Sequence, residues 1–285
     1  MPVPQREGFI AVEGGRVWYR VVGSGPDTPL LLLHGGAGVN HFYLKPMAGI
    51  AADRRVIFYD QLGGGKSDRP TDTTLWRMER FVDEIGRVRE ALGLSEVHLY
   101  GHSFGARLAV AYMATKPKGV RSLILAGPAL TLSRFQRDRD SLMRTLPDSV
   151  YSVMVRHERD QTTDAPEYVK ARQIFLNHFH ARRLPWSVDL DSAVALNNPA
   201  IAGYMRRGRP PGDWTSHLAD IAVPTLFTVG RYDSSTPAAG RYYQSLVPGA
   251  ELVVFEQSAH LTMHDEPEHY NAVLRAFLRK VDRAR

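Results

Sequence analysis

The sequence predicts an α/β fold, a mostly parallel eight-stranded sheet with helices on both faces and an inserted helical cap. Three observations carry this expectation. Apolar runs rich in β-formers alternate with helix-like stretches through the first half of the chain. Those runs are continuously apolar rather than alternating, which suits a parallel sheet covered on both faces. The rhythm then breaks for about ninety residues after Gly127-Pro128, before strand-like text resumes.

In chain order, RVWYRVV (16–22), PLLLLHG (29–35), RRVIFYD (54–60), EVHLYGHS (96–103) and VRSLILAG (120–127) read as strands, each closed by turn residues or a polar switch. Residues 79–92 and 105–115 have helical spacing. From 128 to 220 the periodicity is helical, with breaks at Pro147, Pro166, Pro185, Pro199 and Pro210-Pro211, so we expect a cap at 128–220 and a core formed by 1–127 and 221–285. VPTLFTVGRYD (223–233) and ELVVFEQSAH (251–260) return to strand text, and EPEHYNAVLRAFLRKV (266–281) closes the chain as a helix with proline near its first turn. A pocket is expected between cap and core.

A chain of 285 residues fits one large α/β domain carrying an insertion. With 44% hydrophobic and 23% charged residues and no apolar run near the roughly 20 residues of a membrane span, a soluble protein with no membrane partner is expected. The start, MPVPQREGFIAVEGG, lacks the apolar core of a signal peptide, which points to the cytoplasm. The absence of cysteine excludes a disulfide framework, a thiolate nucleophile and cysteine-ligated metal. A net charge of +6 raises nucleic acid as a partner, yet the charges are dispersed: 128–220 holds 13 Lys+Arg against 11 Asp+Glu. No nucleic-acid partner is expected. The one dense cluster, RRGR at 206–209, reads first as a solvated face and second as an anion contact.

The strongest chemical signal is Gly101-His102-Ser103-Phe104-Gly105, a G-x-S-x-G preceded by a strand and followed by an Ala-rich helix pattern. The serine is expected on a sharp, strained turn, with glycines where side chains would strike neighbouring backbone. A serine hydroxyl needs a base and the base an orienting acid, in the chain order Ser, Asp, His. Asp233 and His260 meet that order, each just after a strand, at the sheet edge where open parallel sheets bind ligands. Two N–H groups should receive a developing oxyanion, those of Phe104 and of Gly36 in LLLLHGGAG. His34 is expected to brace that loop.

The stretch DQLGGGKS (60–67) resembles the end of a phosphate-binding loop, but Asp60 stands where that loop has its first glycine, and a carboxylate would repel phosphate. Neither His178-Phe-His180 nor HDEPEH (264–269) has familiar metal-ligand spacing, and no G-x-G-x-x-G opens a helix after a strand. No metal and no cofactor are expected.

HGGAG, DQLGGGKSDRP, GHSFG, GRYD with Thr236-Pro237, and the late SAH together resemble the proline iminopeptidase group of the α/β-hydrolase fold, over nearly the whole chain. The resemblance implies Ser103 as nucleophile, His260 as general base and acid, Asp233 as its orienter, Gly36 and Phe104 as oxyanion donors, and a structural turn for DQLGGGKSDRP. Members that cleave N-terminal residues hold the free amine with acidic side chains. This chain has Ser234 after Asp233, and only Asp213 among Arg206, Arg207 and Arg209 in the cap stretch 204–214. Those four are the candidate substrate-binding residues, and a neutral or anionic acyl substrate is expected. The expected function is cleavage of a small-molecule or short-peptide amide or ester by a serine hydrolase. Esterase, lactonase, C–C hydrolase or acyltransferase chemistry on the same triad, and a non-catalytic small-molecule receptor, stand as alternatives.

Overall fold

A computed structural model describes residues 4–207 and 213–284; the side chains of residues 202 and 205–207 also lie outside the description. Seven strands form one sheet: β1 (Gln5–Val12), β2 (Gly15–Leu33), β3 (Arg54–Tyr59), β4 (Val97–His102), β5 (Val120–Ala126), β6 (Thr225–Gly230) and β7 (Glu251–Phe255). Eight strands are expected from the sequence, in which seven runs read as strands; the segment that forms β1 is not among them, and RVWYRVV and PLLLLHG count separately. In the structure both lie in β2, which folds around β3: Tyr19 to Val22 run antiparallel to it, while Leu30 to Leu32 pair with Val56 to Phe58 in rising order on both strands. Beyond this hairpin, β2, β4, β5, β6 and β7 pair in parallel.

Why the strands are apolar throughout is visible in β2. Leu31 and Leu33 enter the hydrophobic core on one face of the sheet, with Phe81, Leu108 and Tyr243. Leu30 and Leu32 enter a second core with Met47, Tyr270 and Leu274. Alternate side chains of a strand point to opposite faces, so a sheet buried on both faces needs apolar residues at every position. The helices that supply the other half of each core are α1 (Met78–Ala91), α2 (Phe104–Ala114) and, beyond the insertion, α8 (Pro237–Ser245), α9 (Thr262–Asp265) and α10 (Pro267–Arg283). Prolines at the first turn of α8 and α10 fit there because the first helical N–H groups have no intrahelical acceptor.

Between β5 and β6 lie α3 (Leu132–Met143), α4 (Asp148–Asp160), α5 (Pro166–Phe179), α6 (Val188–Ala195) and α7 (Pro199–Arg207). Met143, Met154, Tyr168, Phe175 and Phe179 pack α3, α4 and α5 into a small core of their own, whereas Leu190 and Ala193 of α6 and Ile201 of α7 join the cores of the sheet. Among the described residues, no helix is long and apolar enough to cross a membrane.

Candidate active site

β4 carries His102 to the C-terminal edge of the sheet, and the chain turns there into α2 within one residue. Ser103 takes the turn at φ 53° and ψ −110°, a geometry that costs a non-glycine residue on the order of 1–3 kcal/mol and persists where its surroundings impose it. Those surroundings are close. A β-carbon on Gly101 would lie 2.4 Å from the Gly105 carbonyl oxygen, and one on Gly105 would lie 2.1 Å from that of Leu33.

Asp233 and His260 arrive on the loops after β6 and β7. The buried Asp233 accepts the Ser235 N–H at 2.6 Å and the His260 Nδ1–H at 2.7 Å, both on Oδ1. A carboxylate only accepts, so the proton of a neutral His260 sits on Nδ1 and Nε2 carries a free lone pair. Ser103 and His260 line one cavity of about 420 Å³, and Gly35 and Gly36 form part of the same wall. A β-carbon on Gly35 would lie 3.0 Å from that of Ser103, so this loop lies directly against the serine.

The Gly35 N–H is already engaged, donating to the Tyr43 hydroxyl at 2.5 Å. The Gly36 N–H has no acceptor among the described residues. Phe104 is the first residue of α2, so its N–H precedes the helical ladder. Its side chain packs edge-on to Phe81 at 6.0 Å.

Three neighbours of the site carry no advance signal in the sequence reading. The His102 Nε2–H donates to the His260 carbonyl at 3.0 Å, which leaves Nδ1 to accept from the Tyr43 hydroxyl at 2.9 Å. Burial and the adjacent His260 hold His102 neutral, its pKa far below the ordinary histidine value. The chain Gly35, Tyr43, His102, His260 thus joins the glycine loop to the loop of the base. His180 lies with its ring 5.4 Å from that of His260, and burial lowers its pKa to about 3. Gly127 sits at φ 47°, where a β-carbon would fall 2.9 Å from Asp233 Oδ2 and 3.0 Å from His260 Nδ1.

His34 accepts the Gln61 N–H on Nε2 at 3.0 Å, and Gln61 Nε2 donates to the His34 carbonyl at 2.9 Å. These bonds splice the HGGAG loop to the DQLGGGKS turn. Within that turn Asp60 accepts the His41 N–H at 2.7 Å and the Lys66 N–H at 2.9 Å, and Gly63 presents its carbonyl to Asn198 Nδ2 at 3.0 Å. The Asp60 carboxylate is therefore an internal brace, and the turn holds the start of α7 beside the cavity.

The candidate substrate-binding residues fare differently. Asp213 does not line the cavity; it accepts from Thr215 N–H at 2.9 Å, from the Thr215 hydroxyl at 2.6 Å and from the Thr131 hydroxyl at 3.1 Å, capping the short 3₁₀ turn Trp214–His217. An Asx cap of this kind engages the carboxylate locally. Arg209 and the side chains of Arg206 and Arg207 lie outside the described residues. Among the described residues no group of His, Asp or Glu could hold a metal ion. Asp265 accepts the Arg182 and Arg183 N–H groups at 2.7 and 2.9 Å and the Ala259 N–H at 2.8 Å. It thereby joins the connection between α5 and α6 to the residue before His260.

A mostly parallel sheet with a strained serine turn and a buried Asp–His pair on its C-terminal edge defines an α/β hydrolase, and a family model described as alpha/beta hydrolase fold matches residues 28–267. The chain is 41% identical to a proline iminopeptidase of Heyndrickxia coagulans, with 96% of this chain and 99% of the relative covered. It is 31% identical to one of Clostridium botulinum, covering 97% and 99%. Among solved structures, VinJ superposes with a TM-score of 0.92 at 30% identity, covering 97% of this chain and 99% of that one. The proline iminopeptidase of Mycobacterium smegmatis superposes at 0.89 with 28% identity, covering 98% and 99%. The chain belongs to the proline iminopeptidase family of α/β hydrolases.

Proposed function

We propose that the protein is a cofactor-independent serine hydrolase that cleaves a small amide or ester through an acyl-enzyme. Ser103 Oγ attacks the carbonyl while His260 Nε2 takes its proton, and Asp233 holds the imidazole in the required tautomer and stabilises the imidazolium. The Gly36 and Phe104 N–H groups receive the oxyanion. His260 then returns the proton to the leaving group, and water resolves the acyl-enzyme by the same steps in reverse. Residues 128–220 act as the cap that admits the acyl group.

The observation that carries this reading is the Nδ1–H bond from His260 to Asp233, which leaves Nε2 bare in the cavity that Ser103 also lines. The names of the relatives favour release of an N-terminal proline residue within this class. The test is labelling by a fluorophosphonate. Stoichiometric modification of Ser103, lost in Ser103→Ala, is the expected result, and absence of labelling in folded protein would favour the receptor reading.

A further inference from the structure

No aspartate or glutamate is among the described residues lining the cavity, whereas two arginines, Arg139 and Arg172, are. The rest of the wall is largely apolar, including Phe135, Phe175, Leu176 and Trp186. Arg139 is already compensated: its guanidinium holds Glu158 through Nη1 at 3.2 Å and Nη2 at 2.5 Å, and it lies over the Phe175 ring at 5.3 Å. Arg172 differs. It is exposed at the rim, and no carboxylate among the described residues lies within ion-pair distance of it.

An α-ammonium entering this cavity would leave water for largely apolar walls, meet no carboxylate among the described lining residues, and approach a guanidinium with no ion-pair partner among them. Each of these disfavours a cation. A carboxylate on the substrate meets the opposite circumstance, since a guanidinium offers a planar fork of donors matched to two carboxylate oxygens. We infer that the site acts on acyl groups whose amine is blocked or absent, and that Arg172 determines specificity by favouring a carboxylate on the substrate. The inference rests on the serine-hydrolase reading and specifies its substrate class.

Three arylamides with one acyl core separate the possibilities: prolyl, N-acetylprolyl and N-succinylprolyl, compared by kcat/KM at pH 7. The expected order is succinyl over acetyl over free amine, with steps on the order of tenfold. Arg172→Gln should erase the succinyl advantage over acetyl, and Arg172→Glu should invert it. Because the readout is a ratio within one variant, a general loss of activity cancels. If none of the three is turned over, protection of Ser103 from the fluorophosphonate by proline, N-acetylproline and N-succinylproline ranks the same chemistries. Preference for the free amine, with the ammonium held over the faces of Trp186, Phe135 or Phe175, would overturn the inference and leave the hydrolase reading intact. A succinyl advantage unchanged in Arg172→Glu would remove Arg172 from the account. Failure of the fluorophosphonate to label Ser103 would remove the hydrolase reading itself.

Discussion

Replacing Gly127 by alanine tests whether the geometry of the Asp233–His260 pair governs the rate. At φ 47° the residue is in the left-handed region, where a side chain costs about 1–2 kcal/mol wherever it occurs. Position 127 adds a second effect. The new β-carbon would lie 2.9 Å from Asp233 Oδ2, 3.0 Å from His260 Nδ1 and 3.1 Å from its Cε1, against an ordinary contact of about 3.5–4.0 Å. The pair must yield by roughly half an ångström or more. Asp233 cannot retreat alone, because its other oxygen holds both the Ser235 N–H and the His260 ring. The ring therefore turns with it, and Nε2 loses its aim. Displacements approaching 1 Å cost up to about a hundredfold in rate, so kcat should fall by about 10- to 100-fold. KM should change little, since Gly127 does not line the cavity. Gly249→Ala is the control: it has φ 71°, yet nothing lies within 4 Å of its β-carbon position. Both variants should melt at lower temperature, Gly127→Ala by more because of the added clash, and only Gly127→Ala should lose kcat. A Gly127→Ala enzyme with wild-type kcat would refute the reasoning.

Ser103→Ala or His260→Ala alone should lower kcat by roughly 10⁴ to 10⁶, with the double variant little worse, because the residues act as a unit; losses that multiply in steady-state assays would contradict this. Asp233→Asn should fold normally and lose about 10⁴ in rate by favouring the wrong imidazole tautomer. Neighbouring carboxylates should not compensate, since Glu256 is paired with Arg231 and Asp265 with three backbone N–H groups; near-normal kcat would show that one of them does. Stability should fall on acidification. Burial lowers the pKa of His98 to about 4 and that of His180 to about 3, whereas an unfolded chain titrates these groups near about 6.5. Below that value the unfolded state binds more protons, so the stability present above pH 6.5 is lost as pH falls toward 4. Thermal melts at pH 7.5, 6 and 5 should show the decline, and a flat profile would contradict it.

The strands from β3 onward and the serine turn are legible in the sequence because their causes are local, whereas β1, whose burial pattern is mostly exposed, gives no such signal. Continuous apolar runs report burial on both faces, and a G-x-S-x-G between strand and helix reports backbone crowding. The chain order of Asp233 and His260 after their strands was legible for the same reason. β2 reads as two strands in the sequence because its continuity depends on β3 pairing with both of its halves, a fact about tertiary contact. Gly127 gave no signal, since what forbids a side chain there arrives from the loops at 233 and 260. His102 stood in plain view inside GHSFG, yet its partners are the hydroxyl of Tyr43 and a carbonyl of His260. Asp213 caps the 3₁₀ turn Trp214–His217 through Thr215, a local role that the pattern Asp-Trp-Thr carries in the sequence. The cavity's arginines escaped notice because the packing of α3 and α5 on their own small core decides which helical face looks inward.

The carboxylate of Asp265 grips only main-chain amides, those of Arg182, Arg183 and Ala259. These bonds ask nothing of the three side chains, though Ala259 is fully buried and Arg182 lies over the Tyr232 ring; they do fix the length of the strap. One residue added between His180 and Leu184 would shift both amides off the carboxylate and slacken the loop that aims His260. Residues 132–179 are held mainly by an apolar cluster of their own, with Asp138 also accepting the Thr236 hydroxyl at 2.9 Å. The architecture therefore resembles a tool head on a fixed spindle: the faces of α3, α4 and α5 can be refashioned, provided the connection through Arg182 and Arg183 keeps its length.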